Sequence, residues 1–178
     1  MNWMKKVAVA LVCLLPLGLQ AAKVDTLQVK SPSMNKSIEV VVVSPDVAAT
    51  KACPVIYLLH GYGGNARTWV GIKPDLSKIA DEKGIFFVCP DGKNTWYWDS
   101  PLNADVRYET FISNELVKYV DSHYKTVADR KGRAITGLSM GGHGAMWNGL
   151  RHSDVFSAAG STSGGVDIRL SLIHISEP

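Results

Sequence analysis

Two β-rich runs open the patterned part of the chain, "VDTLQVKS" (24–31) and "KSIEVVVVSP" (36–45). The turn-like "PSMN" between them predicts an antiparallel hairpin. "PVIYLLH" (54–60) and "IFFVCP" (85–90) are near-continuous apolar runs, the pattern of strands buried on both faces. Between them a Gly-rich loop, "GYGGN", is followed by "KPDLSKIADEKG" (73–84), which predicts a helix with Pro74 in its first turn and Gly84 at its end. Across 106–124, Phe111, Ile112, Leu116, Tyr119 and Val120 recur at helical spacing and predict one amphipathic helix. "GRAITG" (132–137) predicts a strand, "SMGGHGAMWNGLRH" (139–152) a helix and "FSAAGSTSG" (156–164) a further strand. Strands alternating with helices after an opening hairpin predict an α/β fold, a mostly parallel, doubly wound sheet with helices on both faces.

Length changes this picture little: 178 residues suit one domain. The net charge of +3 is spread along the chain without a run of Lys and Arg, so no nucleic-acid partner is implied. The N-terminus changes it more. Lys5 and Lys6, an apolar run from Val7 to Leu19 and small residues at Ala21 and Ala22 have the layout of a secretory signal peptide over 1–22. The run is short for a bilayer span, so no stable membrane anchor is expected. Export would permit a disulfide. Cys53 and Cys89, however, fall at opposite ends of neighbouring parallel strands, roughly 15 to 20 Å apart at about 3.3 Å per residue, so two buried free thiols are expected. No cysteine or histidine spacing suggests a metal.

The chemistry centres on "Gly137-Leu138-Ser139-Met140-Gly141", a G-x-S-x-G pattern with a strand before it and a helix after it. The glycines leave room for a tight strand-to-helix turn with the serine at its apex. The Ser139 hydroxyl is then exposed above the helix N-terminus, and the Met140 N–H points at a developing oxyanion. Because Met140 donates through its backbone, its side chain is expected to matter little. The loop "LLHGYGGN" is placed to supply a second donor, the Tyr62 N–H, with His60 bracing the loop. "GYGGNA" also fits a dinucleotide fingerprint, with Asp81 about 20 residues on. No helical periodicity follows the glycines and Asp81 falls inside a helix, so that reading is set aside.

From about Thr26 to Ile168, "VIYLLHGYGGN", "PDGKNTWYWDSP", "YETFISNEL", "RAITGLSMGGHGAM" and "AAGSTSGGVDI" together resemble the α/β-hydrolase esterases of the esterase D type. That group includes S-formylglutathione hydrolases, feruloyl and acetyl-xylan esterases and the antigen 85 mycolyltransferases. The resemblance implies Ser139 as nucleophile, the Tyr62 and Met140 N–H groups as oxyanion hole, and no cofactor or metal. It also implies that "NTWYWDSP" borders the acyl or alcohol pocket, so Gly61, Trp96 and Trp98 are candidate substrate-binding residues. Trp96, Tyr97 and Trp98 equally suit packed core or loop anchors.

In this fold the triad runs Ser, then Asp or Glu, then His. Counted in strands, the pattern is truncated before the last strands, so the triad Asp and His are expected to be absent. The last ten residues, "RLSLIHISEP" (169–178), resemble translated adapter read-through and are expected to be non-native, leaving 23–168 as a partial esterase domain. His143 follows Ser139 by four residues, but Ser139 sits at the elbow, so helical neighbour geometry does not apply. His123 and His152 are expected at helix ends, His174 in the tail, and the chain alone is expected to be inactive.

The expectation for the complete protein is a secreted or periplasmic serine carboxylesterase acting through an acyl-enzyme on small esters or acylated carbohydrates. The alternatives are an acyltransferase with the same site and a non-catalytic carbohydrate-binding or interaction protein on the same fold. Export weighs against glutathione chemistry, which is largely cytosolic.

Overall fold

The computed structural model describes residues 22–166. The expected leader therefore lies outside it except for Ala22, as do the expected tail and the last two residues of the expected domain. The hairpin forms as β1 (Lys23–Ser31) and β2 (Lys36–Ser44), paired antiparallel from Lys23 opposite Ser44 to Ser31 opposite Lys36. Asn35 closes the turn at φ 47°, a left-handed conformation that asparagine tolerates. β3 (Val55–Leu59), β4 (Phe86–Pro90), β5 (Arg133–Gly137) and β6 (Ala158–Ala159) complete a sheet in the order β1-β2-β4-β3-β5-β6. β2 meets β4 antiparallel, and β4, β3, β5 and β6 run parallel.

Strand alternation divides the apolar side chains between two layers. On one face Val40, Val42, Val55, Tyr57, Leu59, Phe86 and Val88 pack under Phe111, Ile112, Leu116, Val120 and Phe156. On the other, Val41, Val43, Leu58, Phe87 and Cys89 pack against Ala66, Leu76 and Ala80. Burial on both sides explains why these strands read as continuous apolar runs. Each fully buried large apolar side chain contributes about 1.5–3 kcal/mol. Cys53 and Cys89 are both buried and free, and the Cys89 thiol is pushed up by burial.

Helices cover both faces. α1 (Thr68–Ile72) and α2 (Leu76–Lys83) connect β3 to β4, and Gly84 ends α2 at φ 63° with its N–H on the Ala80 and Asp81 carbonyls. The connection from β4 to β5 carries one helical stretch in three parts: α3 (Tyr108–Thr110), a π-helical segment (Phe111–Glu115) and α4 (Leu116–His123). α5 (Met140–Arg151) follows β5 directly. Because α2 and α4 lie on opposite faces, the strand order reverses about β3. A crevice is therefore expected beyond the C-terminal ends of β3 and β5.

Three local expectations need correction. "NARTWVGIKP" does hold a helix, α1, too short at five residues to show a period, with Trp69 and Val70 packed on the second face. Pro74 precedes α2 rather than entering its first turn, since Asp75 caps a helix that starts at Leu76. "FSAAGSTSG" forms only a two-residue ladder, though Ser157, Gly160 and Thr162 N–H groups bond along β5 to Arg133, Ile135 and Gly137. Its Gly and Ser residues give it little to bury, and Ala158 and Ala159 are exposed.

Phe156 sets its ring edge-on to Tyr57 at 5.7 Å, wholly inside the first layer. Phe156→Ala should lower the unfolding free energy in urea by about 3–5 kcal/mol. Leu102→Ala, at a residue 90% exposed, should stay within about 0.5 kcal/mol of the parent. Equal urea midpoints for the two variants would contradict the layer assignment.

Candidate active site

The register of β3 against β5 places Leu59 opposite Gly137. Two residues beyond each lie Gly61 and Ser139, so the two loops meet at the C-terminal edge. A Cβ built on Gly61 would stand 3.5 Å from the Ser139 Cβ and 3.3 Å from the Leu138 carbonyl oxygen. Ser139 is exposed and holds φ 54°, ψ −117°, a strained conformation for a residue with a side chain. Its neighbours allow it. A Cβ on Gly141 would lie 2.2 Å from the Leu59 carbonyl oxygen, and one on Gly137 would lie 2.3 Å from the Gly141 carbonyl oxygen. Only backbone without side chains lets α5 approach β3 this closely.

Serine at a helix N-cap usually accepts a hydrogen bond from the first turn. Ser139 makes no such bond with its side chain. Its own N–H bonds the Thr162 carbonyl at 2.8 Å, so the elbow is tied to the segment after β6. The first-turn amides of α5 have no intrahelical acceptors and form the positive end of the helix dipole. Met140 is the first of them, and its side chain is fully buried in the first layer. That corrects the expectation that this side chain matters little, because its truncation would open a core cavity.

Opposite the elbow, Gly61 to Gly64 form a tight turn closed by the Gly64 N–H on the Gly61 carbonyl at 3.0 Å. Gly63, at φ 76°, supplies the left-handed third position that a type II turn requires. Tyr62 projects its ring outward, 57% exposed. Asn94 Oδ1 accepts from the Gly63 N–H at 2.7 Å. His60 is buried and braces the loop as expected. Its Nδ1–H donates to the Gly61 carbonyl (2.7 Å) and its Nε2 accepts from the Gly92 N–H (2.9 Å).

Tyr97 bolts this assembly together. Its ring is fully buried where a Cβ on Gly92 or Gly144 would collide with it, and its hydroxyl donates to the His60 carbonyl at 3.1 Å. Burial drives its phenol well above the ordinary value. Both Trp96 and Tyr97 have left-handed φ angles, 57° and 61°, so the loop turns sharply around the bolt. Trp96 and Trp98, the candidate substrate residues, are half-buried and meet His143 on α5. Trp98 Nε1–H donates to His143 Nε2 at 2.7 Å, and His143 Nδ1–H donates to the Gly165 carbonyl at 2.6 Å.

Glu109 is a partner the sequence did not signal. Its buried carboxylate accepts from Trp147 Nε1–H (2.7 Å) and Arg151 Nε–H (2.8 Å) and pairs with His152 Nε2 (2.8 Å). His152 does end α5, but it meets this carboxylate rather than only solvent. Burial works to raise the Glu109 carboxyl, yet the Arg151, Trp147 and His152 hydrogen bonds hold it below the ordinary glutamate value. Burial likewise opposes ionisation of Asp91. The Lys93 ammonium and N–H outweigh it and keep that carboxyl well below the usual range. Among the described residues, no group of three or more His, Cys, Asp or Glu side chains could hold a metal ion. No described helix is long and apolar enough to cross a membrane.

A family model described as "Putative esterase" matches residues 31–177. An esterase of Mycobacterium tuberculosis is 31% identical over 149 residues, covering 80% of this chain and 32% of the relative. The diacylglycerol acyltransferase/mycolyltransferase Ag85A of Mycobacterium leprae is 32% identical over 158 residues, covering 81% of this chain and 44% of the relative. The chain thus spans a third to under a half of these curated relatives. A solved ferulic acid esterase superposes with a TM-score of 0.66 at 32% identity, covering 78% of this chain and 61% of that one.

The Glu109 carboxyl has a lower pKa folded than unfolded, so its tie between α3 and α5 adds stability above the ordinary glutamate value. That contribution is lost as pH falls through the folded value. In urea titrations, wild type should exceed Glu109→Gln in stability near neutrality, and the gap should close below about pH 4. A gap unchanged at about pH 3 would show that the charge is not what Glu109 contributes.

Proposed function

The chain belongs to the esterase family, and on that premise we propose that the whole protein is an exported serine carboxylic-ester hydrolase with Ser139 as its nucleophile. One observation carries the reading. Ser139 pays for a strained backbone, is exposed, and leaves its hydroxyl unused by the helix it precedes. Strain of this kind persists where function requires it.

In the proposed reaction the Ser139 oxygen attacks the ester carbonyl carbon while a base takes its proton. The carbonyl oxygen gains the charge, and the Met140 and Tyr62 N–H groups stabilise it. Collapse expels the alcohol and leaves an acyl-enzyme, which water then opens to release the acid. His60 and His143 are not the base in this mechanism, since both ring nitrogens of each are already engaged. The base and the acid that orients it are residues outside the described part, consistent with the order Ser, Asp or Glu, His. Acyl or feruloyl esters of carbohydrates are the proposed substrates, which the likeness to a ferulic acid esterase supports. Acyl transfer to an alcohol is the second reading, favoured by the likeness to a mycolyltransferase.

Within the export reading, the contacts of Ala22 favour cleavage after Ala21. The Ala22 backbone nitrogen lies 2.8 Å from Asp81 Oδ2, whose other oxygen accepts from the Asp46 N–H, and the residue is buried. Cleavage after Ala21 would place a new ammonium group on a waiting carboxylate. Cleavage after Ala22 would remove that pairing.

Two outcomes are expected. N-terminal sequencing of the exported protein should begin at Ala22, and an intact Met1 in the soluble cytosolic fraction would count against export. In the gene-length protein, Ser139→Ala should reduce p-nitrophenyl butyrate hydrolysis on the order of 10⁶-fold. Gly61→Val, which distorts the loop carrying the Tyr62 N–H, should cost about 100- to 1,000-fold. Undiminished turnover in Ser139→Ala would remove Ser139 from the mechanism.

A further inference from the structure

His143 stands one turn into α5, its N–H bonded to the Ser139 carbonyl at 3.0 Å. Three indoles surround its ring. Trp96 meets it edge-on at 5.4 Å, Trp98 at a tilt at 5.3 Å, and Trp147 lies nearly parallel at 6.2 Å. The hydrogen bonds fix its chemistry. A carbonyl can only accept, so the bond to Gly165 makes Nδ1 a donor. An indole N–H can only donate, so the bond from Trp98 makes Nε2 an acceptor. Both bonds are satisfied only by the neutral Nδ1–H tautomer.

We propose that His143 is a positioning residue that locks the Trp96–Trp98 loop beside the nucleophile, and that its protonation releases the lock. The function of the lock, though not its existence, rests on Ser139 being the nucleophile. The loop needs such a tie. Consecutive left-handed φ angles at Trp96 and Tyr97 make it costly to hold, and Tyr97 is anchored from beneath. Trp98 follows the bolt directly, and its indole meets α5 twice, tilted against Trp147 at 5.6 Å and through the His143 bond, which fixes where its N–H points.

Protonation puts a hydrogen on Nε2, facing the Trp98 N–H. Two donors then oppose each other, and one must move. His143 is held by its backbone in α5, by the Gly165 carbonyl and by the Trp147 face, which favours a cation. Trp98 has its backbone tied to the Tyr108 N–H and its ring tilted against Trp147, but no second described acceptor for its N–H, so it is the indole that turns. The charged groups around the cluster do not reverse this. On α3, Glu109 is spent on Trp147, Arg151 and His152. On α5, the Arg151 guanidinium lies over the far partner, Trp147, at 4.9 Å. In the loop, Asp99 accepts from the Thr110 N–H and hydroxyl. No described carboxylate hydrogen-bonds to His143 to hold its charged form in place.

The tryptophan wall is then rigid beside the neutral imidazole and loose beside the imidazolium. A loosened wall weakens substrate binding before it alters the chemistry at Ser139. Glutamine tests this cleanly, because its side-chain oxygen and nitrogen can take the acceptor and donor roles of the imidazole without titrating.

The test has a spectroscopic and a kinetic arm. Long-range ¹H–¹⁵N spectra of the protein should show His143 as the Nδ1–H tautomer. The Trp98 indole N–H, assigned with Trp98→Phe, should be protected from exchange and should lose protection with the midpoint of the His143 ring resonances. In His143→Gln that N–H should stay protected through the same acidification. In the gene-length enzyme, KM for p-nitrophenyl butyrate should rise about two- to tenfold on acidification, the loss of one hydrogen bond. That rise should vanish in His143→Gln while the acid limb of kcat, which belongs to the general base, is retained. An Nε2–H tautomer, a Trp98 resonance indifferent to His143 titration, or matching KM profiles in the two proteins would overturn the proposal. Full activity in Ser139→Ala would instead overturn the catalytic reading and leave the spectroscopic arm standing.

Discussion

Everything at the candidate site depends on how closely the backbone of α5 lies upon the end of β3. The Leu59 and His60 carbonyls occupy the space where a side chain on Gly141 would have to go. Gly137 faces the same constraint from the other side of the turn, against Gly141 itself. Packing this tight fixes the elbow with almost no freedom, which is how a strained residue at its apex is held in place. It also brings a helix N-terminus and a strand C-terminus together at one point, where the orphan amides of one can face whatever the other presents.

A second set of contacts carries that constraint outward. The turn from Gly61 to Gly64 has no packed side chains of its own, so it takes its shape from neighbours. His60 ties it from below to Gly92, with one hydrogen bond to each, and Asn94 holds the Gly63 amide from the side. Both grips lead to the loop after β4. Tyr97 pins that loop between two glycines, Gly92 and Gly144, and so joins it to α5. Elbow, turn and aromatic loop form one connected unit.

Much of this was legible in the sequence because it rests on local rules. Period-two and continuous apolar runs reported β2, β3 and β4, since strands buried on both faces leave few places for polar residues. G-x-S-x-G reported the elbow because the steric demand for glycine is met within five residues. What was hidden was non-local. Nothing near Glu109 indicates that Trp147, Arg151 and His152 converge on it, because these partners lie 38 to 43 residues further along the chain. The spacing of Gly92, Tyr97 and Gly144 has no local meaning until the loop folds over α5. α1 escaped notice because five residues show no period. β6 was overestimated because alternation with helices is read without weighing how little its Gly, Ala and Ser residues can bury, and Ala158 and Ala159 are exposed.

The π-helical segment at Phe111–Glu115 has a further consequence. An α-helix turns by about 100° for each residue, so the wider turn here shifts the phase between the stretches before and after it. Upstream, Tyr108 and Glu109 are aimed at the core and α5; downstream, Leu116 and Val120 still meet the sheet. A uniform α-helix could not satisfy both directions with this sequence. The segment therefore works as a phase adjuster between two packing partners. Its length in residues, more than the identity of any one of them, sets whether α5 and the sheet can share a single support.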